Sequence, residues 1–566
     1  LVYVNQGHYD EAESLYKRSL KINEKVFGRE RPSVAKNLDN LAYLYINQSR
    51  NEEAEPLYKR ALGIQENALG PEHSDTATSL NNIALLYKSQ GRYAEAEPLN
   101  KRALEIREKV HGPENTSVAT SLNNLAAVYK FQGRYADAEP LYKRALTINE
   151  NAFGPEHSDV VLNLNNLASL YKKQGHFKEA EQFFKRSIII RKKILVPDHP
   201  DIAVSLGNLA LLYVELGRLA GAESLFTESI KINEKAFGQE HPNVALSINN
   251  LASLYSDQGL YKEAERLYKR SLMIFENFLG PEHPDIAMSL NNLASLYSNL
   301  GLYAKAEAIN NRSLAIKEKV FGPEHPDVAL SLDNLATLYY DLGRYTEAET
   351  FFKRSLEIYE KALGPEHTKV ASILDSLGVL FIAQARYAEG ESYIKKSLRS
   401  FLKIFGPEHP NVASSLSNLA LIFSKQGRSV ESEPLYKRAL AINEKIFGPE
   451  HPKVATNLNN QAILYENQGR YAAAELIYKR ALSIKEKYFG PDHPELALVL
   501  NNLSILYDNQ GRYDEAETLY KRALKMNENI LGPEHPQIAF NLNNLALLYS
   551  KKGLFNEAES FFKRSL

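Results

Sequence analysis

Asparagine returns at one position of this sequence at multiples of 42 residues. The members of this asparagine row are Asn82, Asn124, Asn166, Asn208, Asn250, Asn292, Asn334, Asn418, Asn460, Asn502 and Asn544. Asparagine is a poor residue for a helix interior because its amide competes for backbone hydrogen bonds. Two hypotheses can offset that cost. The amides bond neighbouring helices and set their stacking, or they line a concave groove and hold the backbone of an extended peptide.

Histidine forms a second periodic set, in a short loop before each asparagine-bearing segment. Its members are His73, His157, His199, His241, His283, His325, His367, His409, His451, His493 and His535. Zinc needs its ligands within about 2.0–2.3 Å of one point, whereas successive loops are separated by a two-helix layer of roughly 16–20 Å. The spacing excludes a shared metal site. Most of these histidines precede a proline, so we predict that they cap the following helix, with Arg31 and Asn115 standing in at two places.

Charged residues vary near the end of the asparagine-bearing segment. Basic residues come first and acidic residues follow: Lys88, Lys130, Lys172 and Lys173, then Glu215, Asp257 and Asp341. If these positions face a groove, the basic stretch would suit an acidic or carboxylate-ended peptide, and the acidic stretch a basic one. The alternative is ordinary solvated charge at helix ends.

The sequence shows no arrangement typical of catalysis. It has no Ser-His-Asp set outside the periodic pattern, no phosphate-binding glycine loop and no HExxH motif. It contains no cysteine, which excludes disulfides, thiolate metal sites and cysteine nucleophiles. We therefore predict a protein that is not an enzyme and needs neither a cofactor nor a metal.

The elements that carry these residues form one repeating unit, of which residues 71–112 are an example. Apolar residues such as Ala77, Leu80 and Ala84 recur at helical spacing and predict a first helix of about 16 residues, helix A. Gly91 then breaks the helix as a left-handed cap. A second helix of about 19 residues, helix B, follows, with its inward-facing residues predicted to be Tyr93, Ala96, Leu99, Ala103, Leu104 and Val110.

The turn glycine recurs in register along the whole chain, and Ser49 and Ala385 fill the two places where it is missing. A fixed period of this size is the signature of a solenoid. We predict an all-α, right-handed α-solenoid of about 13.5 stacked helix-turn-helix hairpins. It is expected to be one continuous domain over residues 1–566, with a truncated first repeat (1–28), twelve full repeats (29–532) and a truncated last repeat (533–566).

The unit resembles the tetratricopeptide repeat in the residues Asn82, Leu86, Tyr87, Gly91, Tyr93, Ala96 and Ala103. Its 42-residue length, with Leu-Asn-Asn-Leu-Ala in helix A and Tyr-Lys-Arg-Ala-Leu in helix B, is similar to the kinesin light chain and nephrocystin-3 type, as in long bacterial arrays. The resemblance implies a protein-binding scaffold. In tetratricopeptide proteins the position matching Asn82 contacts bound peptides, which implies that role for the asparagine row.

The composition argues against two classes of partner, nucleic acids and membranes. The net charge is −1, with 68 basic and 69 acidic residues, which argues against nucleic acid. No apolar run is long enough for a membrane span. The expected partners are proteins or peptides, and the absence of cysteine and of a visible targeting segment favours the cytoplasm, with an N-terminus that we expect to be missing.

Three functions fit the sequence. The first is a non-enzymatic scaffold that binds peptides or partner proteins in the groove. The second is a sensor or oligomerisation arm of a larger signalling enzyme, whose kinase, nucleotide-switch ATPase or protease module would lie outside this chain. The third is a motor cargo adaptor. We also expect end-to-end self-association through apolar faces near Tyr3, Phe561 and Phe562, and early unfolding around residues 376–390, where Ala385 and Gly390 depart from the pattern.

Overall fold

The structure, a computed structural model, describes residues 9–47 and 50–565. Within these residues it has 27 α-helices and one short 3-10 turn (Pro494–Leu496), and it has no strand. The helices alternate between the two predicted kinds. The all-α solenoid predicted from the period is confirmed.

The A helices carry even numbers. They are α2 (Pro32–Asn47), α4 (Ser74–Ser89), α6 (Thr116–Phe131), α8 (Ser158–Lys173), α10 (Pro200–Glu215), α12 (Pro242–Asp257), α14 (Ile286–Asn299), α16 (Pro326–Asp341), α18 (Thr368–Ala383), α20 (Pro410–Lys425), α22 (Pro452–Asn467), α24 (Ala497–Asn509) and α26 (Pro536–Lys551).

The B helices carry odd numbers. They are α1 (Tyr9–Phe27), α3 (Asn51–Leu69), α5 (Tyr93–His111), α7 (Tyr135–Phe153), α9 (Phe177–Ile194), α11 (Leu219–Phe237), α13 (Tyr261–Leu279), α15 (Tyr303–Phe321), α17 (Tyr345–Leu363), α19 (Tyr387–Phe405), α21 (Ser429–Phe447), α23 (Tyr471–Phe489), α25 (Tyr513–Leu531) and α27 (Phe555–Ser565). The 16-residue α4 and the 19-residue α5 match the predicted lengths.

Where a glycine follows helix A, the helix ends in a tight turn that this glycine makes possible. Gly91 has a φ of 71°, and the amide of Arg92 donates to the carbonyl of Tyr87 at 2.8 Å. This closing bond satisfies one of the carbonyls that a helix end leaves without a partner. Ala385 adopts the same left-handed conformation with a φ of 58°, which strains a residue that has a Cβ.

Small residues bring the two helices of a hairpin close together. Ala84 on α4 and Ala96 and Ala103 on α5 are buried. Val110, predicted to face inward, is 48 % exposed. It lies in the last turn of α5, and the buried stripe of that helix ends with Ile106 and Arg107.

An arginine at the start of helix B joins successive hairpins. The guanidinium of Arg92 stacks on the ring of Tyr87 at 3.8 Å and forms ion pairs with Glu55 of the preceding repeat at 2.8 Å and Glu95 at 2.7 Å. The same group recurs around Arg386, Arg428 and Arg512. Each exposed pair contributes only about 0–1 kcal/mol, but the arrangement orients alike the B helices that such an arginine precedes.

The chain forms two compact units. The first comprises Leu1–Pro197, Lys317–Ala329 and Glu357–His367, and the second Asp198–Ile316, Leu330–Leu356 and Thr368–Leu566. A single continuous domain over residues 1–566 therefore stays a prediction. At the last hairpin, Phe561 packs on Tyr549 with ring centroids 5.2 Å apart and is half-buried, as is Phe562. Tyr3 lies outside the described residues.

Candidate functional site

Each A helix presents one stripe of side chains that the hairpin packing leaves uncovered. On α4 the stripe comprises Asp75, Thr78, Asn82, Leu85 and Ser89, at spacings of three and four. These residues are exposed, except that Asn82 is half-buried. We call the corresponding stripes of all A helices the A face. All eleven members of the asparagine row lie on the A face.

The asparagine row lies half-buried in the middle of the A face at all eleven positions. Two members bond the A helix of the preceding repeat. Asn418 Nδ2 donates to Asp375 Oδ2 at 2.7 Å, and Asn502 Nδ2 donates to Asn459 Oδ1 at 2.9 Å. Burial raises the pKa of Asp39 on the preceding A helix to about 7, and the side chain of Asn82 partly offsets that rise. These bonds show that part of the row serves the stacking of A helices.

A second polar row, which the sequence reasoning noticed only as a neighbouring asparagine, lies deeper. Asn123 Nδ2 donates to Asn163 Oδ1 at 2.7 Å, and Asn541 Nδ2 donates to Asn501 Oδ1 at 2.9 Å. The sequence did carry a signal for this row: serine or asparagine recurs two residues before the neighbouring asparagine, as Ser121 does before Asn123. Buried side-chain amides are normally hydrogen-bonded, so this row fixes the register between A helices.

Some of these amides keep a buried atom without a protein partner. They are Oδ1 of Asn81, Asn123, Asn165, Asn249 and Asn291, and Nδ2 of Asn544. A buried polar atom without a partner costs about 1–3 kcal/mol. The two asparagine rows therefore retain hydrogen-bonding capacity beyond what stacking uses.

The basic residues near the ends of α4, α6 and α8 form a cluster in the first unit. The Nζ atoms of Lys88 and Lys130 lie 5.9 and 5.7 Å from the ring centroid of Phe131. Lys130 Nζ also donates to Ser169 Oγ at 3.3 Å. Burial, together with the charges of Lys88 and Lys173, lowers the pKa of Lys130 to about 8, and burial lowers the pKa of Lys88. These ammonium groups are crowded and partly desolvated.

Lys172 precedes Lys173 at the end of α8 and is half-buried. It occupies the position that Lys88 and Lys130 occupy in the two preceding repeats, as the sequence spacing requires. The three predicted lysines thus lie on successive A helices, close to the turn that ends each helix.

The acidic residues end the A helices of the second unit. Asp257 ends α12 and Asp341 ends α16, and burial raises the pKa of Asp257 to about 6 and that of Asp341 above its usual range. Asp257 is accessible to solvent, yet it lines a cavity of about 610 Å³ together with Tyr261, Tyr303 and Asp341. Protein therefore surrounds the carboxylate on most sides, which explains why its charge is poorly solvated.

Apolar residues form a row on the A face that the sequence reasoning missed. Val204 on α10, Leu246 on α12 and Met288 on α14 are 55 %, 42 % and 40 % exposed. They occupy equivalent positions in successive repeats of the second unit. The signal was an apolar residue repeated within an otherwise polar stripe. Such a row can accept apolar side chains of a partner.

The histidines cap the A helices as predicted. His73 Nδ1 accepts a hydrogen bond from the amide of Asp75 at 3.1 Å, and Asn115 Oδ1 replaces it at the next repeat, accepting from Ser117 at 2.9 Å. Among the described residues, no three His, Cys, Asp or Glu side chains are grouped so that they could hold a metal ion.

Some histidines make a second contact that the sequence did not predict. His325 Nε2 lies 3.4 Å from the carbonyl oxygen of Ser89, and His367 Nε2 lies 2.7 Å from that of Phe131, each 236 residues away. In the second unit, Nε2 of His451, His493 and His535 is buried without a hydrogen-bond partner among the described residues.

The described helices include none long and apolar enough to cross a membrane. Stacked helical hairpins with a periodic polar stripe define the chain as a helical repeat protein. A tetratricopeptide-repeat model matches the chain at residues 1–66, 34–109, 117–193, 161–235, 201–277, 243–319, 285–361, 327–389, 369–445, 417–487, 477–529 and 508–566. The chain belongs to the tetratricopeptide-repeat family, whose members generally act as protein-interaction scaffolds.

Solved structures of kinesin light chain-like repeat proteins are similar to parts of the chain. BtubC (BKLC) from P. vanneervenii is 24 % identical, with a TM-score of 0.35, over 41 % of this chain and 92 % of that one. Two crystal structures of a putative kinesin light chain from Podosopora anserina, with nearly identical TPR-like repeats, are 26 % and 27 % identical, with TM-scores of 0.33 and 0.32. Each covers 36 % of this chain and 97 % or 98 % of its own. No curated protein matches the chain.

Proposed function

We propose that the A face is a groove that binds extended peptide segments of partner proteins, and that the protein is a non-enzymatic scaffold. The general role of the family supports this function. The asparagine row would hold the peptide backbone, because an amide offers both a donor and an acceptor to any sequence. The neighbouring charged and apolar positions, which vary between repeats, would read the side chains.

The crowded charges at the ends of the A helices carry the proposal. Ordinary solvated charges would have ordinary pKa values, whereas the pKa of Lys130 falls to about 8 and that of Asp257 rises to about 6. A ligand group of opposite charge would stabilise the charged form of either residue, because it replaces the solvation by water that burial removed. The lysine cluster thus suits an acidic or carboxylate-ended segment, and the acidic positions suit a basic one.

The apolar row adds a second requirement for the basic segment. Val204, Leu246 and Met288 lie on α10, α12 and α14. These three helices end in two acidic residues and one polar residue: Glu215, Asp257 and Asn299. A peptide with basic residues and apolar residues would contact both. Apolar burial contributes about 25 cal/mol per Å², so three such contacts give binding energy that salt does not screen.

A peptide array tests the proposal, followed by fluorescence anisotropy on the peptides that bind. The variant Lys88→Gln/Lys130→Gln should lose acidic peptides and keep basic ones, and Asp257→Asn/Asp341→Asn should show the opposite pattern. The control is Lys437→Gln, which removes an exposed charge from helix α21 outside the A face. Equal losses in the control, or unchanged binding in both charge variants, would refute the charge assignment.

The asparagine row is tested by changing Asn208, Asn250, Asn292 and Asn334 to alanine together. Loss of peptide binding with an unchanged circular dichroism spectrum would show that the row contacts the ligand. A lower melting temperature with unchanged binding would instead assign the row to stacking, the role that the bonds of Asn418 and Asn502 support.

A further inference from the structure

Most repeats hold an arginine at the start of helix B in one recurring group of side chains. Arg92 stacks on the ring of Tyr87 and forms ion pairs with Glu55 and Glu95. Its Nη1 also donates to Oε1 of Gln90 at 2.8 Å. We call the ring, the glutamine and the two carboxylates around such an arginine the arginine site of that repeat.

The glutamine contact recurs along the chain. The distance from Nη1 to the glutamine Oε1 is 2.7–3.3 Å for Arg134, Arg386, Arg428, Arg470 and Arg512. The arginine site therefore matches a guanidinium in three respects: its planar face, its positive charge and its N–H donors.

Leucine replaces the arginine at residue 260, but the groups of the arginine site remain. They are the ring of Tyr255, the amide of Gln258 and the carboxylates of Glu223 and Glu263, and we call these four residues the 260 site. The hydroxyl of Tyr255 donates to Glu223 Oε1 at 2.9 Å, as the equivalent tyrosines do in other repeats. The ring and the carboxylate thus keep the arrangement that holds a guanidinium elsewhere.

No cation of the described chain takes the place of the arginine at the 260 site. Gln258 Oε1 is buried without a hydrogen-bond partner among the described residues. Neither Glu223 nor Glu263 forms an ion pair there. Thr227 stands four residues after Glu223, where other repeats have a lysine that pairs with the glutamate. The acceptors of the 260 site therefore keep their capacity for a cationic donor.

The ring of Tyr255 differs from the equivalent rings in the same way. Each of the others has a lysine or arginine 3.8–6.0 Å from its centroid: Tyr45, Tyr87, Tyr129, Tyr171, Tyr213, Tyr297, Tyr339, Phe381, Phe423, Tyr465, Tyr507 and Tyr549. Burial and Glu223 raise the pKa of Tyr255, and the charge of Arg266 opposes that rise. Within the described residues, Arg266 forms no ion pair with either glutamate of the site.

Other repeats with leucine in place of the arginine supply a lysine instead. Beside Leu302, Lys305 Nζ lies 5.5 Å from the ring centroid of Tyr297. Beside Leu554, Lys552 Nζ lies 5.9 Å from the equivalent ring and pairs with the equivalent glutamate at 2.7 Å. Loss of the arginine is thus compensated within the chain at these two repeats and is not compensated at the 260 site.

The 260 site adjoins a cavity of about 840 Å³ in the second unit. Glu223, Gln258 and Leu260 line this cavity together with Tyr488 and Phe489. Cavities of this size bind small molecules and peptide side chains. The two aromatic rings offer apolar contacts for the methylene stem of an arginine or for a neighbouring residue.

We propose that the 260 site binds the guanidinium group of an arginine side chain from a partner protein. The ring of Tyr255 stacks on the guanidinium, Glu223 and Glu263 pair with its charge, and Gln258 Oε1 accepts one of its N–H groups. A lysine would satisfy only the charge, because an ammonium group has no planar face. The 260 site shares no residue with the A face, so this inference goes beyond the proposed peptide groove and does not depend on it.

Saturation-transfer NMR on the 566-residue chain tests the proposal with Nα-acetyl-arginine amide. The wild type should transfer saturation to this probe and not to the citrulline analogue, in which a neutral urea replaces the guanidinium. Glu223→Gln/Glu263→Gln should weaken binding of the arginine probe about ten-fold. The A-face variant Asp257→Asn/Asp341→Asn should bind it like the wild type. No transfer in the wild type, equal transfer to both probes, or unchanged binding in the glutamine variant overturns the proposal.

Leu260→Arg supplies the guanidinium from the chain itself. This variant should lose binding of the arginine probe and melt at a higher temperature than the wild type. The matched control is Leu302→Arg, which adds the same charge one repeat later, where Lys305 already lies near the ring, and it should bind like the wild type. Unchanged binding in Leu260→Arg, or equal loss in both variants, contradicts the assignment. The glutamine variant keeps the proposal testable if Leu260→Arg fails to fold.

Peptides with a single arginine distinguish a side chain of a partner protein from a free small molecule. A peptide with apolar residues beside the arginine should bind more tightly than Nα-acetyl-arginine amide, because Tyr488 and Phe489 add contacts. Fluorescence anisotropy measures the difference, which should disappear in Leu260→Arg. Equal affinities for the peptides and the amide would assign the site to a free guanidinium compound and overturn a partner protein as the source.

Discussion

His325 Nε2 lies 3.4 Å from the carbonyl oxygen of Ser89, while its Nδ1 accepts a hydrogen bond from the amide of Asp327 at 3.0 Å. Only a neutral imidazole with its proton on Nε2 can serve both contacts, because protonation of Nδ1 removes the acceptor. One residue thus caps its own helix and joins it to a repeat six units earlier. His73, His157 and His199 make the same capping bond, so capping is the role that explains why histidine is so regular in these loops.

Acid should therefore weaken the packing of the loops whose histidines are buried. Burial lowers the pKa of His451 and His493 to about 4, below the unfolded value of about 6.5. The unfolded chain then binds more protons, so stability should fall as the pH drops from about 6.5 to about 4. At about 1.4 kcal/mol per pKa unit, the loss is up to about 3 kcal/mol per histidine.

The measurement is the melting temperature between pH 4 and pH 7 for the wild type and for His451→Gln/His493→Gln. The variant should show a shallower dependence. Charges that face these histidines, Lys453 for His451 and Glu495 and Lys485 for His493, remain in both proteins. His73→Gln is the control, because the side chain of His73 is 43 % exposed, and it should keep the wild-type slope. An equal slope in all three proteins would contradict the assignment.

Asp375→Asn should stabilise the protein at neutral pH. Asp375 accepts hydrogen bonds from Ser415 at 2.8 Å and Asn418 at 2.7 Å, and burial raises its pKa to about 6. Because the folded pKa exceeds the unfolded value of about 3.9, the folded state holds the proton more tightly. Stability from this group is present at low pH and is lost as the pH rises from about 4 to 6. The amide removes that loss, worth about 1–3 kcal/mol at pH 7.

Other repeats supply the matched control for this prediction. Asparagine normally occupies the position, and Asn501 accepts from Asn541 at 2.9 Å. Asn501→Asp should lower the denaturation midpoint at pH 7 and recover it at pH 4. If neither substitution changes the difference between the two pH values, burial of the carboxylate is not what sets its pKa.

Ala385→Gly should raise the stability of the region 376–390 by about 1 kcal/mol, because a residue with a Cβ pays that cost in the left-handed conformation. Hydrogen exchange of α18 and α19 should slow in the variant. Gly378→Ala should do the opposite. Its Cβ would collide with Ile394, which occupies the space between the two helices, and overpacking costs about 1–3 kcal/mol. Faster exchange in Ala385→Gly would show that the turn is not strained.

Binding of an acidic peptide should weaken above pH 8, a prediction that rests on the proposed groove. The pKa of Lys130 is lowered to about 8 by burial, Lys88 and Lys173, so its positive charge is lost as the pH passes that value. Anisotropy titrations at pH 7 and pH 9 measure the change. Lys130→Arg stays charged and should bind equally at both values. A peptide that binds the wild type equally at pH 7 and pH 9 would show that Lys130 makes no contact with it.

The sequence by itself determined the hairpin and its repetition. The spacing of Ala77, Leu80 and Ala84 predicts helix A, and Gly91 and His73 predict its two ends, because caps and helical faces depend on residues within a few positions of each other. The asparagine row and the lysines were likewise visible as positions on one helix. The sequence could not decide whether these side chains bind a ligand or have another role, stacking for the asparagines and solvated charge for the lysines. That choice depends on which groups lie opposite each side chain in the folded protein.

Only the tertiary structure decided which distant residues meet. The contact of His325 with Ser89 joins residues 236 positions apart in the first unit. No short sequence pattern encodes a contact over that separation. The pKa values of Lys130 and Asp257 are decided at the same level, because solvation depends on how much of the surrounding volume the folded chain fills, and the residues that fill it come from other repeats.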